Sequence, residues 1–152
     1  MRKYERPKFL LQDVSQRKYG DWLQRRAAAH VRRDRKYAER MKQSVENITV
    51  ALYKTAIHNA VLSSKGRDAY TGKWLNWKQI STWNNEEARL GGTRYKKRYA
   101  MLPTADHVLR WARRSGFRIC AWCTNDAKSD LSYEEFVDLC ETVVQFAARS
   151  KA

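Results

Sequence analysis

From Val14 to Gln43, Tyr19, Trp22, Leu23, Ala27 and Val31 recur at intervals of three and four in a segment otherwise dominated by charge. That period predicts an amphipathic helix with a narrow apolar stripe, and Ser15 stands where a cap belongs. The next segment, Val45 to Ser63, carries a broader face of Val45, Ile48, Leu52, Ala56 and Ala60, flanked by Ile57 and Val61. Such a face predicts a core helix. His58 on its flank, and His30 on the first helix, read as structural histidines whose ring nitrogens are satisfied within the fold.

Ser63-Ser64-Lys65-Gly66-Arg67 breaks the helical pattern and marks a boundary between a basic helical region, residues 1–67, and the remainder, 68–152. Beyond it, DAYTGKWLNW places Thr71-Gly72 between short β-favouring pieces, as in a tight hairpin. Ser81 to Gly92 reads as a short helix or loop ending at Gly91-Gly92, and TRYKKRYAMLPT leads a basic run into an apolar one. An apolar segment ending at Asp106-His107, a loop around Arg110 to Gly116, a strand from Phe117 to Trp122 and a short turn or helix holding Asn125 and Lys128 make a strand–strand–helix unit. At the C-terminus Ser132 and Glu135 have capping-box spacing. Phe136, Leu139, Cys140, Val143 and Ala147 form one helical face, expected to close the core with Cys140 as a small buried hydrophobe. The class implied is α+β: a helical N-terminal region, a strand–strand–helix centre and a C-terminal helix.

Charge changes this picture more than composition does. The chain has 152 residues, 43% hydrophobic, with six Trp, which suits one core of ordinary size. Its net charge of +15 calls for a polyanionic partner, with nucleic acid ahead of an anionic membrane. The excess is uneven: residues 1–67 carry 17 Lys/Arg against 6 Asp/Glu, residues 68–125 carry 11 against 4, and residues 126–152 carry 3 against 6. On the first helix Arg25, Arg32, Arg33, Arg35 and Lys36 are candidates to track phosphates, a solvated arm being the other reading. Arg94, Lys96, Lys97 and Arg98, interleaved with Tyr95 and Tyr99, form a pattern in which cations meet phosphates and rings meet sugar or base; an ordinary exposed strand has the same pattern. No apolar run approaches the roughly 20 residues a membrane span needs, and the N-terminus lacks an apolar leader, so a cytoplasmic protein is expected. Three cysteines do not make a disulfide framework, which suits a reducing compartment.

Candidate chemistry lies in PTADHV and FRICAWCTNDAK. Neighbours on a strand point to opposite sides, so a twist or bulge at the strand end is needed for Asp106 to hold a metal while His107 faces substrate. Magnesium and similar hard cations take oxygen ligands and often only one or two from protein, a requirement that Asp106 and the amide oxygen of Asn125 meet. A neutral imidazole with an ordinary pKa near 6.5 takes a proton from water at cellular pH.

At these residues the sequence resembles the HNH endonucleases, the ββα-metal group, with DH, a loop, a strand ending in Cys, and an Asn followed by Lys; residues from about Asp68 to Leu131 fit that outline. It also resembles a bacterial protein family with the pattern YTG…LPT-DH…FRIC…TNDAK-DLS-EEF. The resemblance implies a zinc-less ββα-metal centre and hydrolysis of phosphodiester bonds, in DNA ahead of RNA. It makes His107 the general base, and Asp106 and Asn125 the ligands of a divalent metal, Mg2+ or else Mn2+. Lys128 joins the nucleic-acid contacts. Two departures stand out. Ser115 falls near the place of the pattern's middle Asn, and Tyr70-Thr71-Gly72 sits where many HNH proteins carry a Cys-x-x-Cys knuckle, leaving Cys120 and Cys123 without two partners for structural zinc. The alternative is a non-catalytic nucleic-acid-binding protein with a degenerate HNH fold, and behind it a protein whose basic helix binds an acidic protein partner.

Overall fold

The computed structural model describes residues 3–108 and 116–150. The expected loop around Arg110 and the position of Ser115 therefore lie outside the described residues. The described part is α+β and mostly helical, with five α-helices and a two-stranded antiparallel sheet.

The first helix, α1 (Gln16–Arg40), begins at Ser15, whose hydroxyl accepts from the Lys18 amide. Its narrow stripe is the expected one, with Tyr19, Trp22, Leu23, Ala27 and Val31 buried, and it extends through His30 and Ala38. The second, α2 (Val50–Ser64), starts five residues later than the pattern from Val45 implies. Thr49 is extended and its side chain caps the Leu52 amide, so Val45 and Ile48 precede the helix. The buried face is correspondingly Tyr53, Ile57, His58 and Val61, whereas Leu52 is exposed. His58 is indeed satisfied, its Nδ1 lying 2.7 Å from the Tyr19 hydroxyl.

The chain leaves α2 through Lys65 and Gly66, both at positive φ. A Cβ on Gly66 would meet the Trp74 ring at 2.9 Å, so this backbone requires glycine. The Gly66 carbonyl then accepts from both Leu75 N (3.1 Å) and Trp77 Nε1 (3.1 Å), pinning the following segment over the core. Thr71-Gly72 does form a turn, closed by Gly72 N to Asp68 O at 2.9 Å, but a single bridge between Arg67 and Trp74 replaces hairpin strands.

Helix α3 (Asn85–Arg98) runs through the Gly91-Gly92 pair, with a kink at Gly92, so the basic run is helical and not extended. Tyr95 and Tyr99 are buried there, stacked at 4.8 Å against each other and edge-on to Trp83. Their rings are thus core, and only the cations between them face outward. Strands β1 (Pro103–His107) and β2 (Phe117–Ala121) pair in unbroken register from Pro103↔Ala121 to His107↔Phe117, and α4 (Trp122–Lys128) follows directly. One core cluster joins α1, α2, the Leu75–Ile80 segment and the Ala105, Phe117 and Ile119 face of the sheet.

The last helix, α5 (Tyr133–Arg149), has the expected capping box at Ser132 and Glu135. It does not close the core. None of its residues is buried, Phe146 is 72% exposed, and Cys140 is exposed as well. The core is complete without it, because Tyr19, Trp22, Leu75, Trp77 and Ile80 already cover the α1–α2 layer. Among the described residues its first turn is anchored by Tyr133 stacked on Tyr70 at 5.8 Å, by Phe136 edge-on to the same Tyr70 ring at 6.0 Å, and by Arg118 over the Tyr133 ring.

Two core indoles differ in a way that stability measurements can read. Trp22 and Trp77 meet edge to face at 5.7 Å, but Trp77 Nε1 donates to Gly66 O whereas Trp22 Nε1 is buried without a partner among the described residues. Trp→Phe removes similar volume from both sites. At Trp77 it also removes one of the two hydrogen bonds to the Gly66 carbonyl, worth about 1 kcal/mol, and at Trp22 it relieves an unsatisfied donor. Urea unfolding should therefore show Trp77→Phe to be the more destabilising by about 1–2 kcal/mol.

Candidate functional site

Alternation along β1 sends Ala105 and His107 toward α1 and α2, and Thr104 and Asp106 toward α4. The register stays regular to the end of the strand, with no bulge, and the two candidate neighbours occupy two different environments.

On the α1–α2 side, His107 Nε2 lies 2.8 Å from Asp34 Oδ2, and the Tyr53 hydroxyl donates to the same oxygen at 2.6 Å. An ionised carboxylate only accepts, so in the neutral ring Nε2 carries the proton and Nδ1 keeps the free lone pair. Burial works against the Asp34 charge, but the hydrogen bonds from His107 and Tyr53 outweigh it and hold Asp34 below the ordinary aspartate range. The His107 ring is walled by Phe117 at 4.8 Å and His30 at 4.7 Å. His30 itself is fixed by the Arg33 guanidinium, which donates to its Nδ1 at 2.7 Å.

On the α4 side, Asp106 Oδ2 accepts from the Tyr70 hydroxyl at 2.6 Å and faces Lys128 Nζ at 3.4 Å. Burial first, then the bond to Asp106, raises the Tyr70 pKa and keeps the phenol protonated as the donor. Lys128 is only 5% exposed, so this ammonium is a buried counter-charge. Asp68 positions both partners. Its Oδ1 caps the Tyr70 amide at 2.8 Å, and its Oδ2 takes the Thr124 hydroxyl at 2.6 Å and the Ala121 amide at 3.3 Å, where α4 has no side-chain cap of its own.

The two sides open into one cleft of about 700 Å³ beyond the end of β1. Asp106, His107, Asn125 and Lys128 all line it, together with His30 and Arg33 of α1. The other cations lie elsewhere. Arg32 and Lys36 are exposed on α1, Arg35 Nε donates to Ile48 O at 2.8 Å, and Arg25 bonds Ser81. Arg94, Lys96, Lys97 and Arg98 are exposed on α3, with Arg98 laid over the Tyr95 and Tyr99 rings.

For a cation, the cleft offers one carboxylate and one amide oxygen. Among the described residues no group of three or more His, Cys, Asp or Glu converges on a point. That donor set fits a hard ion that keeps most of its ligands as water and phosphate, although Asp106 Oδ2 already serves Tyr70 and Lys128. Cys120 is buried, and burial first, with Asp106 and Asp68 nearby, pushes its thiol well up; Cys123 is exposed.

Asp34, Tyr53, Tyr70 and Asp68 escape a reading along the chain, because their roles depend on contacts 19 to 73 residues away. The one available signal is Asp34 itself, a lone acid inside the run Arg32-Arg33-Asp34-Arg35-Lys36. No protein-family model, curated protein or solved structure matches the chain.

The packing of His30 predicts a pH dependence. Burial, with His107 and Arg33 nearby, pushes its pKa down to about 3, and the Arg33 hydrogen bond needs the neutral ring. In the unfolded chain the ordinary value is about 6.5, so between these limits the unfolded state binds more protons and stability falls as pH falls. The loss from this one group should reach about 2 kcal/mol by pH 5. His58, also lowered by burial, acts in the same direction, so the readout is a difference. Urea melts from pH 7 to pH 5 should show a shallower decline for His30→Gln than for the unsubstituted chain; equal slopes would show that His30 is protonated in the fold.

Proposed function

We propose that this chain is a metal-dependent, HNH-type nuclease that hydrolyses phosphodiester bonds in nucleic acid, with DNA as the expected substrate. The observation behind it is that His107, held in one tautomer by Asp34, shares a cleft with Asp106, Asn125 and Lys128 on a β1–β2–α4 unit. A base needs an orienting partner and a free lone pair, and the Asp34 contact supplies the first while leaving Nδ1 as the second. Asp34 also stabilises the imidazolium that forms when His107 accepts a proton from water. Arg33 and Lys128 set positive charge around the space a phosphate enters. Asp106 and Asn125 are the oxygens that would hold a divalent cation, which supplies Lewis-acid stabilisation of charge on the phosphate and the leaving oxygen. Lys128, bound to the same Asp106 oxygen, keeps that carboxylate oriented and balanced.

A second reading also has an observation behind it. Because Lys128 neutralises Asp106, the site is electrostatically complete without a metal, as suits a protein that grips nucleic acid without cutting. Purified protein incubated with plasmid DNA and with structured RNA, in Mg2+, Mn2+ or EDTA, separates the two. Cleavage abolished by EDTA supports the nuclease. Binding without cleavage in either metal supports the second reading, and cleavage that persists in EDTA removes metal dependence.

His107→Ala should lower turnover by about 10²–10⁴-fold while leaving binding intact. Asp34→Asn should lower it less, since an amide can satisfy either tautomer and so only loosens the choice between them. Unchanged turnover in His107→Ala would take this residue out of the mechanism. Arg32→Glu with Lys36→Glu, both exposed, should weaken binding to all sequences alike and make its salt dependence shallower by roughly two charges' worth of slope. Fluorescence anisotropy across a salt series measures it.

A further inference from the structure

The outer edge of β2 is open over part of its length. Val108 N donates to Gly116 O and Trp122 N to Leu102 O, so in this register Arg118 and Cys120 turn their backbone groups toward β1, and Phe117, Ile119 and Ala121 turn theirs away. The Ala121 amide is taken by Asp68, and the Ile119 carbonyl accepts from Ala69 N at 3.0 Å. Three consecutive groups on that edge have no partner among the described residues: the amide and carbonyl of Phe117 and the amide of Ile119. Between this edge and α2 runs a groove of about 710 Å³, which shares no lining residue with the cleft at His107.

We propose that this groove binds an extended acidic peptide, which adds a third strand running parallel to β2. Unpaired amides and carbonyls at strand spacing are met by another backbone; a phosphate chain has no N–H to offer the Phe117 carbonyl. In a parallel pair one incoming residue donates to Phe117 O and accepts from Ile119 N, and the residue two before it accepts from Phe117 N. That arrangement uses the three free groups and leaves Ile119 O to Ala69, whereas an antiparallel strand spanning both residues would need the same carbonyl a second time. The pleat then assigns the side chains. Residues bonded to β2 lie on its Arg118 face, and those between them point to the Phe117 face, toward α2. Arg118, stacked over Tyr133, and Arg67, stacked over Trp74, are the cations lining the groove, and neither has a carboxylate partner among the described residues. The acid that lines it, Asp68, is engaged by Tyr70, Thr124 and Ala121. On the α2 wall, Ala56 and Ala60 leave room beside the exposed Leu52 for a small apolar side chain. The peptide that fits alternates acidic residues, whose backbone bonds β2, with apolar ones.

Fluorescence anisotropy with dye-labelled Val-Glu-Val-Glu-Val, amidated at its C-terminus, tests the strand. It should bind saturably in the micromolar range. Methylating both Glu amide nitrogens removes the donors that face β2 and should weaken binding about tenfold or more, while methylating the Val nitrogens, which face away, should change it by less than about twofold. The two methylated peptides carry the same charge, so attraction to the basic surface at large cancels between them. Arg67→Ala with Arg118→Ala should weaken binding of the unmethylated peptide more than Lys8→Ala with Arg17→Ala, which removes equal charge from exposed positions outside the groove. Absence of saturable binding below about 1 mM, equal losses from the two methylated peptides, or equal losses from the two pairs of substitutions would each overturn the proposal. Dimerisation of the chain that the peptide reverses would give the edge to a second copy and overturn it as well.

Discussion

The buried carboxylate of Asp68 is the constraint from which the site's geometry follows. It lies immediately after the turn out of α2 and reaches across to the junction of β2 and α4, where it accepts from Ala121 and Thr124 while its other oxygen caps Tyr70. A seven-residue helix with Ala121 at its N-cap position has no local means of satisfying its first amides. Asp68 provides the missing acceptor from a distance and adds negative charge at the positive end of the helix. The same carboxylate therefore fixes where α4 points, and with it Asn125 and Lys128. It also fixes where the Tyr70 hydroxyl meets Asp106. Removing it would leave buried donors on both sides of the junction unpaired, a larger disturbance than the loss of one favourable contact.

The α1–α2 pair has an equally direct bearing on chemistry. Its buried face carries the main core, and the same packing delivers Asp34, Tyr53, His30 and Arg33 to the end of β1. The basic N-terminal region is thus both a charged surface and one wall of the cleft. The two roles separate by helical position: Asp34 and His30 face inward while Arg32 and Lys36 face solvent. A helix with a narrow apolar stripe can do this because its remaining positions are free to carry unrelated functions.

How far the sequence could be read follows from the range of each interaction. The cap at Ser15, the stripe of α1, the capping box of α5 and the strand–strand–helix order depend on neighbours a few residues apart, and each is legible. The start of α2 is not, since Val45 and Ile48 fit the apolar pattern but Thr49 offers a better cap. The Tyr95 and Tyr99 rings look like a recognition surface until Trp83 is placed against them. The fate of α5 is least legible of all, because an amphipathic pattern records that a helix needs cover and says nothing about what supplies it. In the site, His107, Asp106, Asn125 and Lys128 are readable as a local motif and do share a cleft. The residues that orient them, Asp34, Tyr53, Tyr70 and Asp68, come from distant segments and only the fold brings them in.

The regular pairing of β1 to its last residue explains how adjacent side chains can do different work. With no bulge to bring Asp106 and His107 to one face, the sheet separates them. Each is then tuned by its own layer. His107 is paired with the carboxylate of Asp34, and Asp106 with the side-chain amine of Lys128 and the Tyr70 hydroxyl. Were the two on one face, His107 and Asp106 would pair with each other, and the imidazole's lone pair or the carboxylate's oxygens would be spent on that contact. The strand keeps them apart by its pleat and lets them meet only in the cleft beyond its end, where a single ligand can reach the imidazole from one side and the carboxylate from the other.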